Sequence, residues 1–445
     1  MKSAAAFLAA HVAVSAAGIL LTETGEYLFS GFVFILLAVS EYLYYYRKER
    51  KLLQMEAVFS LFWTGGMGIS AMKLSWLAEN WEPVTWLSFV SVYLAFILGY
   101  EAMRAWEKKR TVHRKGASGS EERLEVLESA DSCEQTADRI LRCIYAVLVV
   151  SVACFLLEAV VIREIPLFSD KPHAYSYFHL SGVHYFTVSS IFILPLSVLY
   201  RKVKGKLSRR EWLRLGLCSA AALAVPVLCV SRFQLLLAVL LSVCVAVTAW
   251  PGIRLRYVFL VIVLLIPVYV GLTVARNHDV AYLNSIFEMK YEATPIFITQ
   301  PYMYVANNYD NFNCLVRELP AHTFGLRQLF PVIALTGLKF LRPELVNFPI
   351  YITKTELTTV TLIYDAYYDF GLVGVILFGL ILGMACKKIA TIQERGNNPV
   401  ALLFYAQIAM YLVFSFFTTW FSNPTTWFWL AITGMMYFYV GRVAR

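Results

Sequence analysis

Residues 231–250 read SRFQLLLAVLLSVCVAVTAW. After Arg232 and Gln234, the run from Leu235 to Ala249 holds no charged side chain, and a membrane-spanning helix needs about 20 largely apolar residues. The same texture recurs on both sides. Spans are expected near Ala4–Leu21, Tyr27–Tyr46, Glu56–Ser75, Val84–Met103, Ile140–Ile162, Tyr177–Tyr200, Leu213–Val230, Phe233–Trp250, Tyr257–Ala275, Gly371–Ala385, Val400–Phe421 and Trp427–Val440. The reading is therefore an all-α polytopic membrane protein with about twelve spans. A hydrophobic fraction of 59% and a mean hydropathy of +0.61 exclude an ordinary soluble domain. The first span is Ala-rich, but it has only Lys2 before it and a second span close behind, so it is read as a retained helix and not as a signal peptide.

Charge orients the chain. Basic residues gather in Arg47–Lys51, Arg104–Arg139, Arg201–Arg214, Arg254–Arg256, Lys387–Arg395 and Arg442–Arg445, which alternate with poorly charged connections. Under the positive-inside bias these segments and both termini are expected in the cytoplasm. The net charge of +9 is then a topology signal, and no nucleic-acid partner is read from it. Of the eight cysteines, only Cys314 falls on the outer side, so no disulfide is expected there within one chain. No CxxC or HExxH pattern occurs, and neither a metal nor another cofactor is expected.

Two polar stretches divide the chain into five regions: four leading spans (1–104), a cytoplasmic linker (105–139), central spans (140–275), an extracytoplasmic loop (276–360) and closing spans (361–445). The loop is the expected seat of function, because a long connection on a helical scaffold usually binds or reacts. Its prolines suggest a folded cap, and its apolar piece Leu329–Leu341 is too short to span and suits a re-entrant or surface-lying helix.

Several side chains suit phosphate and sugar chemistry. Arg232 and Arg276 stand at the expected outer ends of two spans, where guanidinium groups can grip a diphosphate by paired hydrogen bonds. Each alone also suits an interfacial arginine snorkelling to headgroups. Arg163, His173, His179 and His184, with interleaved tyrosines, suit sugar contacts, although they equally suit an interfacial aromatic belt. Tyr304, Asn308 and Asp310 in the loop offer ring faces and hydroxyl-reading groups, with Arg317 and Arg327 as cations. Asp365 and Asp369 are four apart and share a helical face. Together with His322 they are the candidate proton acceptors for an attacking hydroxyl.

The order of Ile165-Pro-Leu-Phe168, Ser231-Arg232, Arg276, Asn308-Tyr-Asp-Asn-Phe312 and Tyr368-Asp-Phe-Gly-Leu-Val-Gly374 resembles the bacterial O-antigen and capsule repeat-unit polymerases of the Wzy type, over about residues 140–440. The resemblance implies a glycosyltransferase class C-like helical fold in the bacterial inner membrane. It also implies undecaprenyl-diphosphate-linked oligosaccharides as substrates, and a flippase and a chain-length regulator as partners beside the membrane lipids. The implied reaction is metal-independent glycosyl transfer with Arg232 and Arg276 on the diphosphate. Two departures stand out. Where related O-antigen ligases carry a His before a Gly-x-x-Gly, this chain has Val360 and Thr361. The Arg-x10-Gly pattern of such loops is approached only by Arg327 and Gly337, with nine residues between. An O-antigen ligase is the nearest alternative enzyme, and a lipid-linked oligosaccharide flippase or transporter the alternative from another class.

Overall fold

A computed structural model describes residues 2–117, 130–169, 171, 174–253, 256–257, 260–261, 263, 280–291 and 294–441. Its α-helices in chain order are α1 (Lys2–Glu23), α2 (Tyr27–Glu49), α3 (Met55–Phe59), α4 (Gly65–Ala71), α5 (Pro83–Ala117), α6 (Ala130–Ile162), α7 (Ala174–Tyr177), α8 (His184–Thr187), α9 (Ile193–Lys204), α10 (Arg209–Leu228) and α11 (Arg232–Ala249). They continue with α12 (Val280–Phe287), α13 (Ile296–Glu318), α14 (Phe330–Leu335), α15 (Leu338–Leu341), α16 (Tyr364–Glu394), α17 (Val400–Val413) and α18 (Pro424–Val440). Among the described residues seven helical stretches are long and apolar enough to cross a membrane: Tyr27–Glu49, Pro83–Arg110, Ser132–Ile162, His184–Lys204, Arg209–Leu228, Arg232–Ala249 and Tyr364–Glu394. The protein is all-α and has the character of a multi-pass membrane protein. The expected span Tyr257–Ala275 lies largely outside the described residues, and α17 ends at Val413, well short of Phe421.

The chain forms two compact units, residues 1–117, 279–388 and 411–427 in the first and residues 118–278, 389–410 and 428–445 in the second. In the first unit, α5 and α16 lie backbone to backbone. A Cβ at Gly99 would sit 2.2 Å from the Leu380 carbonyl oxygen, and one at Gly383 would sit 2.0 Å from that of Phe96. Only glycine permits this approach, the small-residue packing that lipid-embedded helices rely on. The expected third span is broken: a π-helical turn, Ser60–Thr64, separates α3 from α4.

The leading helices also contain a buried ionisable pair that the span count did not anticipate. Both His11 of α1 and Glu41 of α2 are almost fully buried, and the His11 Nδ1 to Glu41 Oε1 distance is 2.7 Å. The Tyr93 ring stacks on the imidazole with centroids 4.1 Å apart, and its hydroxyl lies 2.8 Å from Ser60 in the π turn. Each member of the pair is tolerated because the other meets it.

The longest element of the expected outer loop is the 23-residue helix α13, which is buried on nearly all sides between Tyr302 and Leu315. Its asparagines hold down the segment that follows the short helices. Asn311 donates to the carbonyls of Leu357 (2.7 Å) and Thr359 (2.8 Å) and accepts from the Thr353 N–H (2.8 Å). Asn308 donates to Tyr304 O (2.6 Å) and accepts from the Thr359 hydroxyl (2.6 Å). Tyr309 donates to Trp63 O at 2.7 Å, and Trp81 donates to Asp310 at 2.7 Å. Buried amides and carboxylates must find partners, and here the protein itself supplies them.

In the second unit, α9 packs against both α6 and α11, and α10 against α6, α9 and α11. Ser208 and Glu211 close a capping box at the start of α10. At the opposite end of α6, Glu158 is fully buried yet accepts from Leu180 N (2.9 Å) and Thr187 Oγ1 (2.7 Å), with His184 Nδ1 at 3.0 Å.

Candidate functional site

The first unit concentrates its reactive side chains where α16 breaks. Phe370 (φ −140°, ψ 18°) and Gly371 (φ 58°, ψ −147°) leave helical geometry, and Gly371 adopts a backbone region nearly closed to other residues. The turn 322–329 lies on this break. Thr323 N donates to Tyr368 O (3.3 Å), and Phe324 N donates to Asp369 O (3.2 Å).

The Asp369 carboxylate anchors that turn. It is fully buried and accepts from the Thr323 hydroxyl, from Arg327 N at 3.1 Å and from Gln328 N at 2.8 Å. Asp365, one helical turn earlier and 4% exposed, receives two hydrogen bonds from Arg327: Nε at 2.8 Å and Nη2 at 2.7 Å. The hydroxyls of Thr419 and Ser422 also reach it. The Arg327 guanidinium lies 5.1 Å from the Tyr368 ring centroid, which fixes its plane further. Both carboxylates are thus committed to donors of the protein. They anchor the turn, because burying a carboxylate demands that its lone pairs be filled.

His322 differs from them. It is exposed, and its Nδ1 lies 3.2 Å from the Tyr368 carbonyl oxygen. A carbonyl only accepts, so this bond places the proton on Nδ1 and leaves the lone pair of the neutral ring on Nε2. A Cβ added at Gly371 would lie 3.1 Å from that Nε2. The absent side chain at 371 therefore leaves the reactive edge of the imidazole uncrowded. One short turn presents an imidazole of fixed tautomer and, five residues on, a cation whose position is fixed by a buried carboxylate.

The other expected residues fall elsewhere. Arg317 pairs with Glu79 and, at 3.5 Å, with Glu318. Tyr304 is half-buried and accepts from Gln300 Nε2 at 3.3 Å. Asn308 and Asp310, expected as sugar contacts, are buried within the packing around α13 and turned toward protein partners. In the second unit, Arg163 (φ 59°) and His179 are exposed, and the rings of His179 and His184 stand 6.2 Å apart. Arg232 is only 8% exposed at the first position of α11. His173 and Arg276 lie outside the described residues, and with Arg276 goes half of the expected diphosphate clamp. Among the described residues no group of three or more His, Cys, Asp or Glu side chains could hold a metal ion.

The break at Phe370-Gly371 was not among the features read from the sequence, where Gly371 figured only within the stretch Tyr368–Gly374. Nor were Thr323 and Gln328. The available signal was a glycine directly after Tyr-Asp-Phe at the threshold of an apolar run, where a helix would otherwise start cleanly. Comparison of the chain with protein-family models, with curated proteins and with solved structures gave no match.

Proposed function

We propose that the chain is a membrane-embedded glycosyltransferase that polymerises oligosaccharide units carried on a lipid diphosphate. The observation that carries the proposal is the exposed His322 imidazole, with Nδ1 held by a backbone carbonyl and Nε2 turned to the uncrowded edge at Gly371, beside the buttressed Arg327. The order of the sequence motifs gives the reading its substrate class. Nε2 takes the proton of the acceptor sugar's hydroxyl as that oxygen bonds to the anomeric carbon of the donor. The bond from that carbon to the diphosphate oxygen breaks, and its electron pair leaves with the diphosphate. Fixed guanidinium groups stabilise the charge that develops. Arg327 offers one at this turn, and the resemblance of the sequence motifs is what names Arg232 and Arg276 for the diphosphate. The imidazolium returns its proton to water. The transfer is proposed to be metal-independent, so a chelator is expected to leave the rate unchanged.

The test is incubation of purified protein with lipid-diphosphate-linked repeat units, read as a ladder of products. His322→Ala is expected to lower the rate by about 10²–10⁴-fold. An undiminished ladder in that variant overturns the assignment of the base. A ligase is separated by its acceptor, since it would transfer the glycan to a lipid core and make no ladder. The buried His11–Glu41 pair favours a second reading, transport of the lipid-linked glycan, because intramembrane ionisable pairs mark ion or substrate pathways. Movement of lipid-linked glycan across a vesicle membrane without a ladder would select it.

A further inference from the structure

The second unit contains a largely apolar cavity, with Arg201 as its one charged lining residue, that the proposed reaction does not use. It has a volume of about 640 Å³ and lies between α9, α10 and α11, lined among others by Ser197, Arg201, Trp212, Gly216, Ser219 and Trp250. The Arg201 guanidinium lies over the Trp212 ring at 5.0 Å and over the Trp250 ring at 5.7 Å, with Lys202 5.9 Å from the latter. Among the described residues no carboxylate pairs with Arg201. The nearest acid in sequence, Glu211, is taken by Ser208 N (2.7 Å), Ser208 Oγ (2.7 Å) and the Tyr200 hydroxyl (3.1 Å).

Three features fix what such a cavity suits. The first is charge: residues 201–214 carry seven Lys or Arg against the single Glu211. The second is depth. From Arg201 to Leu194 the wall runs seven residues, about 10 Å of helix, within the ~15 Å that one leaflet of a ~30 Å hydrocarbon core provides. The third is open space on α10 at Gly216. A Cβ built at Gly216 meets nothing within 4 Å.

We propose that this cavity binds an anionic glycerophospholipid, its phosphate on Arg201 between the two indole rings and its acyl chain along Leu194, Val198, Leu215 and Ala246. Basic pockets between spanning helices recognise anionic headgroups in this way, with tryptophan marking headgroup level. The site is separate from the diphosphate grip considered above. Lys204 reaches Glu134 near the start of α6 at 2.7 Å, so Arg201 lies at that end. Arg232 lies at the other end, beside the Val230, Leu235 and Leu167 cluster.

The experiment uses the full chain in mild detergent, equilibrated with mixed micelles of phosphatidylglycerol and phosphatidylethanolamine and read by native mass spectrometry. Preferential retention of phosphatidylglycerol is expected in the wild type. Arg201→Gln is expected to weaken that retention about fivefold, the effect of about 1 kcal/mol per basic residue near a headgroup. Gly216→Leu fills open space at a helical position and is expected to abolish retention while leaving the helical circular dichroism unchanged. Lys206→Gln removes one of the same seven charges but no side chain of the cavity lining, and is expected to cost clearly less retention than Arg201→Gln. Equal retention of the two lipids overturns the proposal, as does retention untouched in Arg201→Gln and Gly216→Leu. A loss in Lys206→Gln as large as in Arg201→Gln also overturns it, since a diffuse basic surface then suffices. Capture of a polyprenyl phosphate in place of phosphatidylglycerol overturns the assignment of the ligand.

Discussion

Replacing Gly371 by Ala tests the reasoning about the candidate site most directly. Two costs add. The backbone at φ 58°, ψ −147° lies in a region that costs a non-glycine residue about 1–3 kcal/mol. The new methyl would lie 3.1 Å from His322 Nε2 and 3.2 Å from its Cε1, closer than ordinary van der Waals contact. The imidazole must then move off the Tyr368 carbonyl, losing a hydrogen bond worth about 1 kcal/mol. The expected destabilisation is about 2–4 kcal/mol, read as a lowered melting midpoint of the detergent-solubilised protein. Glycosyl transfer should fall further than the lost folded fraction explains, because the base is displaced. Gly337→Ala supplies the control. Its φ of 76° is also positive, but its Cβ would meet only Phe340, at 4.0 Å. It should lose stability and keep its activity per folded molecule. In His322→Ala/Gly371→Ala the steric part vanishes, so the double variant should be about 1 kcal/mol more stable than the two single effects sum to. A Gly371→Ala protein with wild-type melting and a full ladder would refute the argument.

Asp369→Asn should cost about 1–3 kcal/mol despite its shape, because either amide orientation turns an NH₂ toward the N–H of Arg327 or of Gln328 and orphans a buried donor; hydrogen exchange at residues 323–328 would report it. Arg327→Met should destabilise by about 3–5 kcal/mol by leaving the buried Asp365 carboxylate without its cation. Adding Asp365→Asn should recover most of that loss in a melting assay, and failure to recover it would place the value of Arg327 elsewhere. Asp310 lies on α13, outside the spanning-length helices, and burial pushes its carboxyl up to about 6 against the pull of Lys73 and the Trp81 N–H. A carboxyl raised in the folded state favours folding when protonated, so the associated stability is absent at neutral pH, appears as pH falls through about 6 and is complete below its unfolded value near 4. Asp310→Asn mimics the protonated form and still accepts from Trp81. It should therefore raise stability by about 3 kcal/mol at pH 7.5 and hardly at all at pH 4, and a gain independent of pH would contradict the cause given.

How much of this was legible depended on whether a feature is local. Apolar runs are local, and from Tyr27 to Ala249 the expected spans fall on helices or broken helices. The break in the third span was not visible, because Ser60–Thr64 widens into a π turn inside an otherwise ordinary apolar run. The His11–Glu41 pair joins positions thirty residues apart, and neither residue announces the other. The run Tyr302–Phe312 misled for a different reason. Tyrosine, asparagine and aspartate are the side chains of a sugar site, but they are equally those of a buried polar seam, and composition does not say which side faces protein. A hint lay downstream in Thr353, Thr355, Thr358 and Thr359, a hydroxyl-rich segment able to pair with such a helix; Thr353 and Thr359 do so.

The two carboxylates show how far local reading reaches. Their spacing correctly put Asp365 and Asp369 on one stretch of α16, and their cost in a membrane-entering helix correctly demanded partners. What spacing could not supply was the partner, which lies some forty residues earlier in the turn 322–328. That turn spends the Arg327 guanidinium, two backbone N–H groups and one hydroxyl on the pair. With three donors of the turn on the buried Asp369 carboxylate, the turn cannot slide along the helix without orphaning a buried group, so its position is fixed like that of a packed element. His322 sits at the start of this fixed turn with one ring nitrogen on the Tyr368 carbonyl. On the mechanism proposed above, the two acids hold the base in place, and removing either should misplace His322 before it removes any proton acceptor.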